Sequence, residues 1–306
     1  MHSSSRRAFF RGRRLPQTPW EEFCQRVRRT LTGEFIEFKV AGAAGSGRIT
    51  VQDTADVHHV RALCHEYGVV FCLDGLSMPV RQPEQATVWV RPGKSMSQLS
   101  RIDEHSNRWF VQPGCTLGDL VDAGFESLSH LPRQLTVAVW LADRTLSDYV
   151  PGRTFRSGLE HASLLLGDGE SVHLGPFSAE NTKPLRGLRL QQLVPALYRL
   201  AAGPQAKACL KAKFWPSRYR LDALMPDHGA PQNLAHFCLG HGGDLGWVEW
   251  VVLNRDTMDP AQDQAGCFST DLVDAEGLRE HAAELDWAVK DLFDPQRVFP
   301  DIGQDL

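Results

Sequence analysis

Three groups of residues stand out as candidates for binding or catalysis. The first runs from Trp109 to Leu120, where an apolar stretch stops at Pro113-Gly114 and restarts with helical spacing. Pro113 has no N–H to give a ladder, and Gly114 permits a turn closed to other residues. Thr116 is placed to cap the new helix, with Asp119 in the capping-box position and Leu117 and Leu120 beginning an apolar face. Such a corner brings bare backbone N–H groups near whatever sits above the strand end, which is the chemistry of anion binding. The second group is His236, Cys238 and His241 in one loop. These are zinc-ligand types, but a zinc site needs a fourth ligand and a paired cluster, and neither is visible. The third is His58 and His65, two helical turns apart on one face with Arg61 between them. A solvated helix face accounts for them, and no metal is assigned.

The elements that must position these groups read as mixed helix and strand. Pro19 to Leu31 has apolar residues at 20, 23, 24, 27 and 31, which is helical spacing behind a first-turn proline. Gly42 to Gly47 is a small-residue loop without the Lys-Ser/Thr of a phosphate loop. Arg48 to Val51 is strand-like, a helix capped by Asp53 or Thr54 follows, and Gly68 to Leu73 is a continuous apolar run that reads as a buried strand. Ala86 to Val90 is another strand, and Leu164 to Leu174 is a hairpin turning at Asp168-Gly169. A Leu-rich helical region spans Pro184 to Leu200, and an amphipathic helix runs from Leu278 to Phe293, ended by Asp294-Pro295.

Composition narrows the class. The 306 residues are 42% hydrophobic and 23% charged with a net charge of −4, an ordinary globular balance. The pI is about 6.3, which argues against nucleic acid as the main partner. Seven cysteines with no C-x-x-C pair point to a reducing compartment and free thiols. No apolar run is long enough to span a bilayer. Ser5-Arg6-Arg7-Ala8-Phe9-Phe10 resembles a twin-arginine signal, but Gly12-Arg13-Arg14-Leu15-Pro16 replaces the apolar h-region. The expectation is a cytoplasmic protein carrying a basic tail or a docking peptide over residues 1–18.

Five segments, in order, carry a resemblance to a known family. Trp109 to Leu120 resembles "VQPGVTLGEL", Asp56 to Val69 the first helix and following strand, and Leu164 to Glu170 "VVLPDGE"; Leu239 to Glu249 is similar to "VGSEGTLGVIT" and Phe293 to Pro300 to "FDPKGILNP". The family is that of the FAD-dependent oxidoreductases of the vanillyl-alcohol oxidase/p-cresol methylhydroxylase (PCMH) type, in its glycolate oxidase and D-lactate dehydrogenase branch. The resemblance spans about Arg48 to Gly303. It implies an α+β fold of two subdomains, about 48–98 and 99–255, with FAD between them. A helical lead-in would occupy 19–47, and 256–306 would hold a vestigial cap and the C-terminal helix, the substrate (cap) domain being nearly absent. It implies cofactor contacts at Leu73, Asp74, Gly75, Leu76, Ser77 and Met78 for the pyrophosphate loop, and at Pro113, Gly114 and Leu117 for the corner. Ala138 and Val139 would lie at the flavin edge, and Gly246 and Val248 beside the isoalloxazine. No His in the loop before Pro79 is placed for covalent attachment, so FAD would be held noncovalently.

The chain departs from that pattern at three places. Of the family's Arg and "GGGTGL" loop only Gly75 remains, and Asp74 stands where the base would be. A carboxylate ~4 Å from a phosphate at an effective dielectric of ~20 costs on the order of 4 kcal/mol; Arg218 and Arg220 add positive charge that would offset it. Ala138 and Val139 replace a Gly pair, so Cβ atoms would crowd the cofactor. The cap is nearly absent, and the family's substrate-orienting His and Arg lie in it or in motifs that do not match here. Two functions follow. One is an FAD-binding oxidoreductase or FAD-binding subunit, passing hydride from a 2-hydroxy-acid-like donor to flavin, with a small-molecule substrate or a partner redox subunit. The other is a non-catalytic, degenerate flavin fold that binds a partner.

Overall fold

The computed structural model describes residues 18–38, 44–76, 85–147, 149–177, 187–227, 229–259 and 276–302. The twin-arginine-like tail through residue 17, Ser77 and Met78 of the expected phosphate loop, and residues 260–275 of the expected vestigial cap lie outside them. Within the described residues the chain is mixed helix and sheet, as the sequence implies.

The first layer is a four-stranded sheet. Helix α1 (Pro19–Thr30) starts where Thr18 accepts from the Glu21 N–H and Pro19 takes the first turn. It buries Trp20, Phe23, Cys24 and Val27, the face read from the spacing. Strands β1 (Glu34–Phe38) and β2 (Ser46–Val51) pair antiparallel. Helix α2 (Thr54–Tyr67) is capped by Asp53 and ends at Gly68, whose φ of 63° is the left-handed cap that glycine adopts freely. Strands β3 (Val70–Leu73) and β4 (Thr87–Pro92) complete the order β1-β2-β4-β3, with β2, β4 and β3 parallel. The expectation of a helical lead-in over 19–47 is corrected here, because Glu34 to Phe38 is a sheet strand. Its aromatic and β-branched residues suit a pleated surface, but five residues make a weak signal.

The second layer is a five-stranded antiparallel sheet. Its strands are β5 (Leu99–Arg101), β6 (Arg108–Val111), β7 (Leu159–Leu165), β8 (Ser171–Leu174) and β11 (Trp247–Asn254), in the order β5-β6-β11-β7-β8. Short helices α3 (Leu117–Asp122) and α4 (Val137–Ala142) follow β6. Helices α5 (Leu188–Ala202), α6 (Pro204–Leu210) and α7 (Glu276–Phe293) come later, and β9 (Pro176–Phe177) pairs with β10 (Gln232–Asn233). The expected hairpin is β7–β8, and Gly169 at its turn has φ 91°.

Each sheet has a core. One holds Leu117, Leu120, Trp140, Leu164, Val248 and Phe293. The other holds Phe23, Ile49, Val88 and Phe71, and reaches across to Ala138, Leu165, Trp247 and Phe299. Phe71 marks the seam: its ring meets Trp247 edge-on at 5.7 Å and Phe299 at 5.4 Å. Fully burying a side chain of this size is worth about 1.5–3 kcal/mol. At the end of α7, Asp294 accepts from Lys290 Nζ at 2.7 Å and from the N–H groups of Val298 and Phe299 at 3.1 and 3.0 Å. Lys290 also donates to the Asp244 carbonyl at 2.6 Å, so a buried ion pair pins the C-terminal turn onto the loop before β11.

Candidate functional site

The corner after β6 has the local structure that its residues dictate. Thr116 and Asp119 form a reciprocal capping box. Tertiary structure then alters what the corner can do. Helices α3 and α4 begin side by side, so their first-turn donors find each other's carbonyls. Gly114 N–H donates to the Met96 carbonyl at 2.9 Å, Cys115 to Gln112, Leu117 to Leu135 at 2.8 Å and Gly118 to Arg133 at 2.9 Å. From the α4 side, Val137 donates to Cys115 at 2.8 Å and Ala138 to Pro113 at 3.1 Å. Val139 N–H faces the Thr136 hydroxyl. The N–H groups expected to be bare are therefore engaged, because the backbone satisfies its donors internally where it can.

The expected cofactor residues gather at the seam between the sheets. Leu73, Ala138, Gly246 and Val248 line one cavity of about 10 Å3. A Cβ on Gly75, whose φ is +101°, would meet Val139 Cγ2 at 3.0 Å, so the loop turn lies on the start of α4. Leu76 packs near Gly243 beside Leu73. Leu117 does not join this group: it is fully buried in the core of the second sheet. Pro113 contributes a carbonyl already bonded to Ala138. The glycines at 114 and 246 answer to packing: a Cβ on Gly114 would fall 2.7 Å from the Met96 carbonyl oxygen, and one on Gly246 2.6 Å from that of Leu165.

Charge is arranged differently from the sequence expectation. Asp74 Oδ2 lies 2.8 Å from Arg48 Nε. Arg218 is paired to Asp244 at 2.6 Å and Arg220 to Asp222 at 2.7 Å, all four side chains being buried. Neither of these arginines offsets Asp74; Arg48 does. Asp286 accepts from the Ser217 hydroxyl at 2.6 Å and the Arg218 N–H at 2.7 Å, and burial raises its pKa.

The histidines are likewise settled by their neighbours. His236 accepts from or donates to the Thr154 hydroxyl at Nδ1 (2.8 Å), and Nε2 faces the Leu159 carbonyl at 2.9 Å. The carbonyl can only accept, so Nε2 carries the proton and Nδ1 accepts. Burial lowers its pKa to about 4. Burial pushes the Cys238 thiol up to about 12 and lowers His241 to about 3, with Arg218 adding to the second shift. Among the described residues no group of three metal-ligating side chains comes together. The solvated-face reading fails for His58: its Nε2 lies 2.8 Å from Glu249 Oε1, and Glu249 also accepts from Ser163 and Ser171 at 2.7 and 3.1 Å. A lone carboxylate in the apolar run of β11 is the signal that could have found this cluster, since buried charge needs partners.

Among the described residues the corner donors that would face FAD are engaged by the protein's own carbonyls, the cavity lined by Leu73, Ala138, Gly246 and Val248 is about 10 Å3, room for about one water, and Asp74 of the expected pyrophosphate loop is paired with Arg48.

Neither a protein-family model nor a curated protein matches the chain. Two solved structures of alkyldihydroxyacetonephosphate synthase are similar to it. The P212121 crystal form is 13% identical with a TM-score of 0.45, covering 78% of this chain and 41% of that one. The P1 form is 14% identical with a TM-score of 0.45, covering 79% and 42%. The chain thus spans less than half the length of those structures.

Proposed function

We propose that this chain is a PCMH-type flavin fold with a closed cofactor site, acting as a non-catalytic subunit that binds a partner. The observation that carries the reading is the packing at the seam: Leu73, Ala138, Gly246 and Val248, four of the residues that the resemblance assigns to the flavin, line a cavity of about 10 Å3. In this reading 48–255 is the flavin-type domain, with units at about 48–98 and 99–255. A cytoplasmic setting belongs to the proposal and is supported by the six described cysteines, all free and buried. Among the described residues no helix is long and apolar enough to cross a membrane.

A second reading keeps FAD, held noncovalently, and hydride transfer from a 2-hydroxy-acid-like donor. One observation favours it: Arg48 neutralises the acid that would oppose the phosphates, at 2.8 Å. The visible spectrum of freshly purified protein, followed by titration with FAD, separates the two. A colourless protein without saturable FAD binding supports the closed site. A flavin spectrum, or saturable binding, overturns it in favour of the oxidoreductase.

A further inference from the structure

The closed seam contains polar atoms that the fold leaves without partners. Both ring nitrogens of His241 and the indole Nε1 of Trp247 are buried with no hydrogen-bond partner among the described residues. The two side chains are 2% and 3% exposed. Both line the same cavity of about 10 Å3, whose other walls include Phe71, Leu73, Ala138 and Phe299. Buried polar groups are nearly always bonded to protein or to ordered water, so the unpartnered nitrogens of two side chains that line one space call for a guest.

The chemistry of the lining selects that guest. An indole N–H only donates, whereas a neutral imidazole donates at one nitrogen and accepts at the other. A cation would face the N–H of Trp247 and, near His241, the Arg218 guanidinium. The volume of about 10 Å3 suits a molecule of water size. We infer that this cavity is a binding site for one internal water, which accepts from Trp247 Nε1–H and bonds to the His241 imidazole. The water joins the loop before β11 to β11 itself, at the junction of the two sheets.

The inference rests on the closed site proposed above, and the colour of the sample keeps the two failures apart. The test uses full-length, colourless protein. A high-resolution crystal structure should show one density peak within hydrogen-bond reach of both Trp247 Nε1 and a His241 nitrogen. In solution, the indole N–H of Trp247 should give a cross-peak to a long-lived water in a water-selective NMR experiment. Trp247→Phe, which keeps an aromatic ring against Phe71, should lose the density peak. An empty cavity, a wild-type spectrum without the water cross-peak, or an anomalous peak in the cavity after a bromide soak would overturn the inference. The last would assign an anion instead.

Discussion

Arg48 Nε and Asp74 Oδ2 lie 2.8 Å apart. The pair ties β2 to the turn after β3, the place where the resemblance puts a phosphate-binding loop. Arg48 is half exposed, so the pair is worth about 0.2–1 kcal/mol. Arg48→Ala and Asp74→Asn should each destabilise by about that much in urea, and the double variant should show a coupling of the same size. Asp74→Asn should not create FAD binding, because the corner donors remain engaged; an FAD titration checks this.

The buried histidines make stability depend on pH. His236 and His241 are held neutral when folded, with pKa values of about 4 and about 3, against 6.5 for the ordinary group. The unfolded chain therefore binds more protons between these values, and stability rises with pH. Their contribution is fully present above pH ~6.5 and is lost as pH falls toward 3–4. Between pH ~6.5 and ~5 the loss should be about 2 kcal/mol for each histidine. Thermal melts across that range check it, and His236→Gln should flatten the dependence.

Lys290 and Asp294 are both fully buried and 2.7 Å apart. Removing one member of such a pair leaves an uncompensated charge and costs about 3–5 kcal/mol. Asp294→Ala should fall in that range and also free the two N–H groups that hold the C-terminal turn. Urea denaturation measures the first effect, and faster amide exchange at Val298 and Phe299 reports the second.

Gly246 separates a packing role from a cofactor role. An added Cβ would lie 2.6 Å from the Leu165 carbonyl oxygen, so Gly246→Ala should destabilise by about 1–3 kcal/mol through overpacking. An alanine variant of unchanged stability would refute the packing account.

Thiol chemistry gives a further check. Cys24, Cys72 and Cys238 are pushed up to about 12, and Cys115 and Cys209 to about 11, chiefly by burial. Thiolate is the reactive form. A thiol reagent at pH ~8 should leave these five unlabelled in native protein and label them after denaturation.

The local features were legible in the chain because their causes lie within a few residues. The Thr116–Asp119 capping box, the start of α1 at Pro19, the turn at Asp168-Gly169 and the end of α7 before Asp294-Pro295 all follow from spacing and backbone preference. Strand β1 was missed because five residues carry little pattern. Leu73, Ala138, Gly246 and Val248, far apart in the chain, line one cavity. The sequence did not reveal that they close on one another.

From the chain alone come most of the helices, the strands with a strong apolar pattern, and their caps and turns. The tertiary structure decided the partners: Asp74 with Arg48, and His58 with Glu249 across 191 residues. It also decided that the donors of α3 and α4 face each other, and that His241 and Trp247 share one cavity. The physical reason is range. Helix and strand signals come from neighbours along the chain, whereas hydrogen bonds, ion pairs and cavities depend on which distant segments packing brings within a few ångströms.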